Sequence, residues 1–260
     1  MRRQEVTVAE RLVPAEGHVE LVLAFPEDEE PAPGQFYMLA PGDGLDTYLP
    51  RALSFYRVFG PRRLSFLFHV VGPGTQALGR LRPRDRLWVT GPLGHGFPLP
   101  EAGVRAALVG GGVGVPPLWS LARALRQGGS EVVALIGART KSGLLGRQEL
   151  AALGAAVRVA TDDGSLGHPG AVTDLLAGAG AERIYACGPE PMLRAVQAHA
   201  ARTGSGETYL SLEAPMACGY GVCLGCAVER QKPDPELGAY GAYARVCRDG
   251  PVFRWDEVTF

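Results

Sequence analysis

The stretch Cys218-Gly-Tyr-Gly-Val-Cys223-Leu-Gly-Cys226, followed farther along by Cys247, holds all but one of the five cysteines in this 260-residue chain. In a C-x4-C-x2-C…C pattern, one short loop supplies three thiolates to a [2Fe–2S] cluster and a distant cysteine closes the fourth position. The chain begins without an apolar leader, so metal binding is expected before disulfide bonding. We therefore predict that Cys218, Cys223, Cys226 and Cys247 are the ligands of an iron–sulfur cluster.

The glycines of the same stretch strengthen this prediction. Gly219, Gly221 and Gly225 allow positive φ angles, which turn backbone N–H groups toward the negatively charged sulfurs. The alternative is a structural zinc site with four cysteines, which usually has two short knuckles with two ligands each. The arrangement of three ligands plus one favours the cluster, and zinc stays open as the second interpretation.

Length and charge limit what the rest of the chain can be. A chain of 260 residues is long enough for two ordinary domains and a small appendage. Its 26 basic and 27 acidic residues give a net charge of −1 without blocks of either sign, so no nucleic-acid surface and no polybasic membrane patch is expected. No apolar run is long enough for a signal peptide or a membrane span, and a cytoplasmic protein is expected.

The first hundred residues read as an antiparallel barrel. Alternating apolar positions in residues 19–23, 36–40, 64–70 and 87–89 are separated by turns rich in proline and glycine. Two segments stand out: Arg51-Ala-Leu-Ser54 at a strand end, and His69-Val-Val-Gly-Pro-Gly74-Thr75, where a glycine turn opens a short helix. The free N–H groups and the Thr75 hydroxyl of the second segment predict a phosphate site, although such turns are common without one.

From Arg105 the pattern changes to alternating strands and helices. Five apolar runs, at residues 106–109, 132–136, 157–160, 184–186 and 208–212, predict a doubly wound parallel sheet, with helices near residues 117–125, 144–153, 172–176 and 191–201. The turn Gly110-Gly-Gly-Val-Gly114-Val-Pro-Pro117 suits a dinucleotide pyrophosphate, yet Val115 replaces the third glycine of the usual fingerprint. A second strand ends in Cys187-Gly-Pro, where a merely buried cysteine is the plainer interpretation.

Several motifs occur together in a fixed order: Arg51-x-x-Ser54, Gly74-Thr75, Gly91-Pro-Leu-Gly94, Gly110-Gly-Gly112-x-Gly114 and Cys187-Gly-Pro. This set resembles the ferredoxin reductase-like flavoproteins. The segments 211–223 and 245–253 further resemble the electron-transfer subunits of class 1B dihydroorotate dehydrogenase, over essentially the whole chain. The resemblance implies a Greek-key flavin-binding barrel (1–101), an α/β NAD-binding domain (102–210) and a [2Fe–2S] module (211–260).

The resemblance also implies which residues hold the cofactors. Arg51 would neutralise the FAD pyrophosphate, Ser54 would lie beside the reactive edge of the isoalloxazine ring, and Cys187 would lie near the nicotinamide. No residue is expected to act as a proton-transfer catalyst. The full set of expected cofactor-binding residues is Arg51, Ala52, Leu53, Ser54, Leu67, Phe68, His69, Gly74, Thr75, Gly111, Gly112, Gly114, Cys187 and Gly188.

The implied function is electron transfer in pyrimidine biosynthesis. A separate, FMN-containing catalytic subunit would pass electrons through the cluster and FAD to NAD+, in a heterotetramer of two subunits of each kind. Alternatives are a reductase subunit serving an oxygenase or a hydrogenase, and a zinc-stabilised binding protein. Three departures from the pattern matter: Leu53 replaces a common aromatic residue, the segment after Cys226 is long, and Arg139 leaves the choice between NAD and NADP open. A bifurcating transhydrogenase relative has aspartate at the first ligand position, and Cys218 argues against that function.

Overall fold

A computed structural model describes residues 1–40, 42 and 49–259 of the chain. Two layers of structure follow one another along the sequence, an antiparallel barrel and then a parallel α/β sheet, and a small cysteine-containing segment completes the chain. The three parts pack into continuous apolar cores, because buried side chains from the last segment join the core of the parallel sheet.

The barrel contains six described strands, all paired antiparallel in the order β4-β3-β6-β1-β2-β5. The two edge strands β4 and β5 also contact each other, which brings the sheet close to closure. Short helix α1, at Pro73–Arg80, follows β5. The strands are β1 (Arg2–Leu12), β2 (His18–Ala24), β3 (Phe36–Ala40), β4 (Arg51–Ser54), β5 (Arg63–His69) and β6 (Arg86–Leu93).

The predicted alternation explains why these segments form a barrel. Leu21, Leu64 and Phe66 point inward and are fully buried, and Tyr37 packs its ring edge-on against Phe66 at 5.5 Å between centroids. Inward-facing side chains fill the interior of a small barrel, so it forms a solid core and not a channel. The cofactor sites must therefore lie at the barrel's rim, where strands end and loops begin.

The second part is a parallel sheet with helices, as predicted. Its described strands have the order β10-β9-β8-β7-β11-β12-β15, with all pairs parallel except the last. The strands and helices are β7 (Arg105–Gly111), α2 (Val115–Gln127), β8 (Glu131–Ala138), α3 (Arg147–Ala152), β9 (Ala156–Thr161), β10 (His168–Pro169), β11 (Arg183–Cys187), α4 (Glu190–Thr203) and β12 (Thr208–Ser211).

Two of the four expected helices differ from their predictions. Helix α3 begins only at Arg147, because Gly146 precedes it with a left-handed φ of 69°. Residues 172–178 form a 3₁₀ helix and not an α-helix. Gly170 lies two residues before that segment and Gly178 ends it, and the segment is too short to build a stable α-helix of its own.

The cysteine-containing segment is built into the parallel sheet. Its strands are β13 (Ala227–Arg230), β14 (Tyr243–Arg245), β15 (Val252–Arg254) and β16 (Val258–Thr259). Strand β15 pairs antiparallel with β12, so the segment extends the sheet of the second part. The long stretch after Cys226 forms a hairpin of β13 and β14, with a 3₁₀ turn at residues 235–242 between them.

Direct contacts hold the barrel against the parallel sheet. Tyr56, just after β4, meets Trp119 of α2 edge-on at 6.1 Å between ring centroids. The Tyr185 hydroxyl of β11 donates a 2.8 Å hydrogen bond to the Pro98 carbonyl, after the last barrel strand. These contacts place the carboxyl ends of β7 and β11 beside the barrel rim. Within the described residues, no helix has the length and apolar character needed to span a membrane.

Candidate cofactor sites

A first cleft of about 530 Å³ lies between the barrel rim and the end of the parallel sheet. Strands β4 and β5 form one wall with Ser54 and His69, and the segment after β12 forms the opposite wall with Pro215 and Met216. Of the residues expected to bind FAD, those that line this cleft are Ala52, Leu53, Ser54, Leu67, Phe68, His69 and Thr75.

Arg51 and Gly74 meet directly beside this cleft. A Cβ atom placed on Gly74 would lie 2.1 Å from Nε of Arg51, so the guanidinium group rests on the helix backbone where only glycine leaves room. The first N–H groups of a helix have no intrahelical partner and carry partial positive charge. Arg51 and the start of α1 therefore concentrate positive potential at one point, which suits an anionic phosphate.

The Thr75 hydroxyl is engaged within its own turn. It accepts hydrogen bonds from the N–H groups of Val71 (2.9 Å) and Gly72 (3.1 Å) and donates to the Gly72 carbonyl (3.1 Å). A hydroxyl has one proton to donate and two lone pairs, and these contacts use all three. Thr75 therefore shapes the turn at the start of α1, and a contact between its hydroxyl and a phosphate stays a prediction.

A second and larger cleft, of about 1130 Å³, lies across the carboxyl ends of β7, β8, β9 and β11. Gly111, Gly112 and Gly188 line its floor, as expected for an NAD site, and Arg139 and Asp162 line the far end. The barrel supplies another wall through the β1–β2 turn, at residues 16–18. No sequence motif predicts that wall, because the turn is distant in the chain from every residue expected to bind the nucleotide.

Gly114 fixes the turn between β7 and α2 beneath this cleft. A Cβ atom at Gly114 would lie 2.1 Å from the Cys187 carbonyl oxygen, so the two turns touch backbone to backbone. Val115, which replaces the third glycine of the usual fingerprint, is buried and packs against Gly110. Gly114 thus supports the nucleotide site from below without lining it.

The two clefts meet at a junction formed by His69, Val113 and Glu213, which line both. His69 stacks on His18 with ring centroids 4.6 Å apart. Burial, together with the nearby His18 and Arg139, lowers the pKa of His69, which keeps its imidazole neutral at neutral pH. Glu213 follows β12, and its side chain is exposed at the open cleft. Desolvation by the protein around it nevertheless raises the pKa of its carboxyl.

Cys187 lies at the end of β11 and lines the first cleft. Its thiol is fully buried and contacts the hydroxyl of Ser211, its partner on β12. Burial raises the pKa of Cys187 to about 12, with a smaller contribution from the charge of Glu213. The thiol is therefore neutral and unreactive.

The four remaining cysteines form two pairs. Sγ of Cys226 lies 3.2 Å from Sγ of Cys247, and both side chains are buried. Cys218 and Cys223 form the other pair through a side-chain hydrogen bond. Across the described residues, no three histidine, cysteine, aspartate or glutamate side chains gather around one point. Two thiol pairs match a centre with two metal ions better than a single zinc ion, which needs four ligands around one point.

Cys218 and Cys247, one from each pair, differ in the pKa of their thiols. Burial opposes ionisation of Cys218, but N–H groups of Tyr220, Val222 and Cys223 outweigh it and lower the pKa of Cys218 to about 6. Burial and the neighbouring Cys226 sulfur raise the pKa of Cys247 to about 12. Because a metal displaces thiol protons when it binds, Cys218 is prepared for a metal, whereas Cys247 must first lose its proton to solvent.

An ion pair braces the cysteine loop. Arg245 donates to the Asp249 carboxylate through Nε (3.3 Å) and Nη2 (3.2 Å), and its Nη1 donates to the Gly221 carbonyl at 3.2 Å. Arg245 thus joins the loop of Cys218 to the turn that carries Cys247. The cysteine loop also contacts the barrel. A Cβ atom placed on Gly219 would lie 2.6 Å from Cγ of Met38 in β3, so the loop lies directly on the barrel.

Exposed apolar residues lie on both sides of Cys223 in the sequence. Tyr220, Val222 and Leu224 are 48%, 73% and 48% exposed, which is unusual for three large apolar side chains within five residues. The hairpin that follows adds two more exposed aromatic rings, Tyr240 and Tyr243. This surface could not be predicted from the sequence, because apolar residues in a strand or loop give no sign of whether they point inward.

Comparisons with known proteins agree with this arrangement. A family model described as the iron–sulfur cluster binding domain of dihydroorotate dehydrogenase B matches residues 213–259, and one described as the oxidoreductase NAD-binding domain matches residues 108–198. Proteins of Bacillus caldolyticus and Geobacillus kaustophilus, both named dihydroorotate dehydrogenase B (NAD(+)), electron transfer subunit, are 42% identical to this chain over 98% of its length and 98% of theirs.

Solved structures show the same fold. A structure of the NADH-dependent reduced ferredoxin-NADP oxidoreductase has a TM-score of 0.84 and 28% identity, covering 98% of this chain and 89% of that one. The ferredoxin reductase in carbazole 1,9a-dioxygenase has a TM-score of 0.71 and 24% identity, covering 80% of this chain and 68% of the other. At that identity the second likeness concerns the fold alone.

Proposed function

The chain belongs to the family of electron transfer subunits of dihydroorotate dehydrogenase B, and we propose that it takes electrons from a separate FMN-containing catalytic subunit and delivers them to NAD+. It is an oxidoreductase subunit whose cofactors are a [2Fe–2S] cluster, FAD and NAD. The observation that carries the proposal is the order of the sites. The cysteine loop adjoins the first cleft through Met216, and the first cleft opens into the second at Glu213.

This order meets a chemical requirement. The bound flavin accepts electrons singly from a cluster and gives up two together, whereas nicotinamide exchanges them only as a hydride. The chain's own residues hold each group in its place. Cys218 with Cys223, and Cys226 with Cys247, would each hold one iron of the cluster. Arg51 and the start of α1 would bind the FAD pyrophosphate, and Gly111, Gly112 and Gly188 would leave room for the dinucleotide.

The partner contact is proposed to lie around Cys223. Three exposed apolar side chains, Tyr220, Val222 and Leu224, stand within three residues of Cys223, which is the one exposed cysteine among the four expected ligands. Burying these side chains against a catalytic subunit would remove apolar surface from water and exclude solvent from the cluster. We propose a heterotetramer of two catalytic and two electron-transfer subunits, with domains at residues 1–101, 102–210 and 211–260.

A cytoplasmic location also forms part of the proposal. The structure describes all five cysteines as free thiols. A centre built on four unpaired thiols needs a compartment that keeps thiols reduced, which is the usual state of the cytosol.

The division of labour between the two subunits is tested by assaying each alone and both together. We expect the purified chain alone to reduce artificial dyes with NADH but to leave dihydroorotate unchanged, because no site for that substrate is predicted in its sequence. Addition of the catalytic subunit should start NAD+ reduction by dihydroorotate. Appreciable dihydroorotate oxidation by this chain alone would refute the proposal. A chain that restores an oxygenase or a hydrogenase, but not the dehydrogenase, would favour the reductase alternative.

A further inference from the structure

Electron transfer to NAD+ through a flavin leaves one proton to be supplied. Two electrons arrive from the cluster without any proton, yet NAD+ removes a hydride, which is two electrons and one proton. The proton would have to reach the flavin atom that passes the hydride on to the nicotinamide. The donor must therefore stand where the flavin cleft and the nucleotide cleft meet.

Three described residues line both clefts: His69, Val113 and Glu213. Val113 has no exchangeable proton on its side chain. His69 is neutral at neutral pH, because burial, His18 and Arg139 lower its pKa, so it has no spare proton to give. Glu213 is the remaining group. We propose that Glu213 is the acid that protonates the flavin during NAD+ reduction, a role that rests on the function proposed above.

The surroundings of Glu213 suit a carboxyl that keeps its proton. In the part of the chain that the structure describes, no hydrogen-bond donor and no cation contacts this carboxylate, and its neighbours Leu212, Ala214 and Pro215 are apolar. Burial already raises the pKa of Glu213, and a ring bound in the cleft would expel water and raise it further. Cys187, which also lies beside the ring site, holds its proton too tightly, with a pKa of about 12.

Other titratable groups face the nucleotide cleft, namely Glu16, His18, Arg139 and Asp162. None of them adds to the shift in the pKa of Glu213, which comes from desolvation by the surrounding protein.

The proposed step balances in protons and electrons. The substrate that the catalytic subunit oxidises supplies two electrons. These electrons would reach the flavin singly through the cluster, and Glu213 would add one proton. NAD+ then removes both electrons and that proton as a hydride, which restores the oxidised flavin. The Glu213 carboxylate regains a proton from water in the open nucleotide cleft. In the direction from NADH to the cluster, Glu213 accepts the proton instead.

The test uses Glu213→Gln in the complete complex, with Glu213→Asp as the conservative variant. Glutamine keeps the size and polarity of the side chain but cannot exchange a proton. In anaerobic stopped-flow experiments with NADH, bleaching of the flavin reports hydride transfer, and the following change in cluster absorbance reports electron transfer with proton loss. We expect Glu213→Gln to slow the second phase about 100-fold, as for loss of a general acid or base, and to slow the first far less. Glu213→Asp should recover much of the rate.

A second readout does not depend on activity. Carboxyl ¹³C NMR of glutamate-labelled chain, compared with Glu213→Gln to assign the signal, should show Glu213 titrating above ordinary glutamates. Glu131→Gln is the matched control, because Glu131 begins β8 at the end of the strand away from the nucleotide cleft. It should change neither the two kinetic phases nor the titration of Glu213. Equal slowing of both phases in Glu213→Gln would overturn the proposal in favour of a role in orienting nicotinamide. An ordinary glutamate titration, together with wild-type kinetics in Glu213→Gln, would overturn it as well. Absence of any flavin bleaching in the wild-type protein would instead contradict the proposed function.

Discussion

We expect Cys223→Ala to abolish electron exchange with the catalytic subunit while NADH still reduces the bound flavin. Cys223 would supply one of four thiolates, and loss of a direct ligand should weaken cluster binding by more than the roughly 10–100-fold typical of changes to residues that support a ligand. The side chain is exposed, so its removal leaves no cavity in the fold. Iron and sulfide analysis measures the cluster, and coupled turnover with dihydroorotate and NAD+ measures electron transfer.

Val13→Ala is the control for this experiment. It removes an exposed apolar side chain that lies outside the cysteine loop and lines neither cleft. Its cluster content should equal that of the unmodified protein. Coupled turnover that is unchanged in Cys223→Ala would contradict the whole chain of carriers, because it would mean that electrons reach NAD+ without the cluster.

The second large effect is expected at Gly74. The added Cβ of Gly74→Ala would lie 2.1 Å from Nε of Arg51, and the flexible arginine must move away. A charge-assisted hydrogen bond is worth about 1.5–3 kcal/mol, so loss of the Arg51 contact should raise the FAD dissociation constant about 10–100-fold. Alanine is a better helix former than glycine, so the FAD-free chain should keep its melting temperature.

Flavin fluorescence during titration of the FAD-free chain measures this constant. Gln76→Ala, at an exposed position of the same helix, should bind FAD as tightly as the unmodified chain. A Gly74→Ala chain that melts early would indicate a folding defect. One that binds FAD normally would show that the phosphate lies elsewhere on the barrel rim.

Local patterns in the sequence predict much of this molecule. The alternation in residues 19–23 and 64–70 predicts barrel strands because each strand has one face in the core. The cysteine spacing predicts the ligand set, and the glycine turn after β7 predicts the nucleotide site. These features depend on neighbours within a few residues, which a sequence records directly.

Features that depend on distant contacts could not be predicted in the same way. The pairing of Cys226 with Cys247 and the insertion of β15 beside β12 are set by packing between segments far apart in the chain. The position of Glu213 at the junction of two clefts depends on how the barrel faces the sheet. In the sequence it is one glutamate after a strand, and nothing near it marks it as different from the others.

The most direct test of the account is anaerobic addition of NADH to the purified chain, followed by visible and electron paramagnetic resonance spectroscopy. We predict that the flavin bleaches and that the paramagnetic signal of a reduced [2Fe–2S] cluster then appears. The reason is that the flavin would accept a hydride from NADH and pass single electrons to the cluster held by the four cysteines. A colourless protein that contains zinc, or one in which NADH bleaches the flavin while an intact cluster stays oxidised and silent, would contradict it.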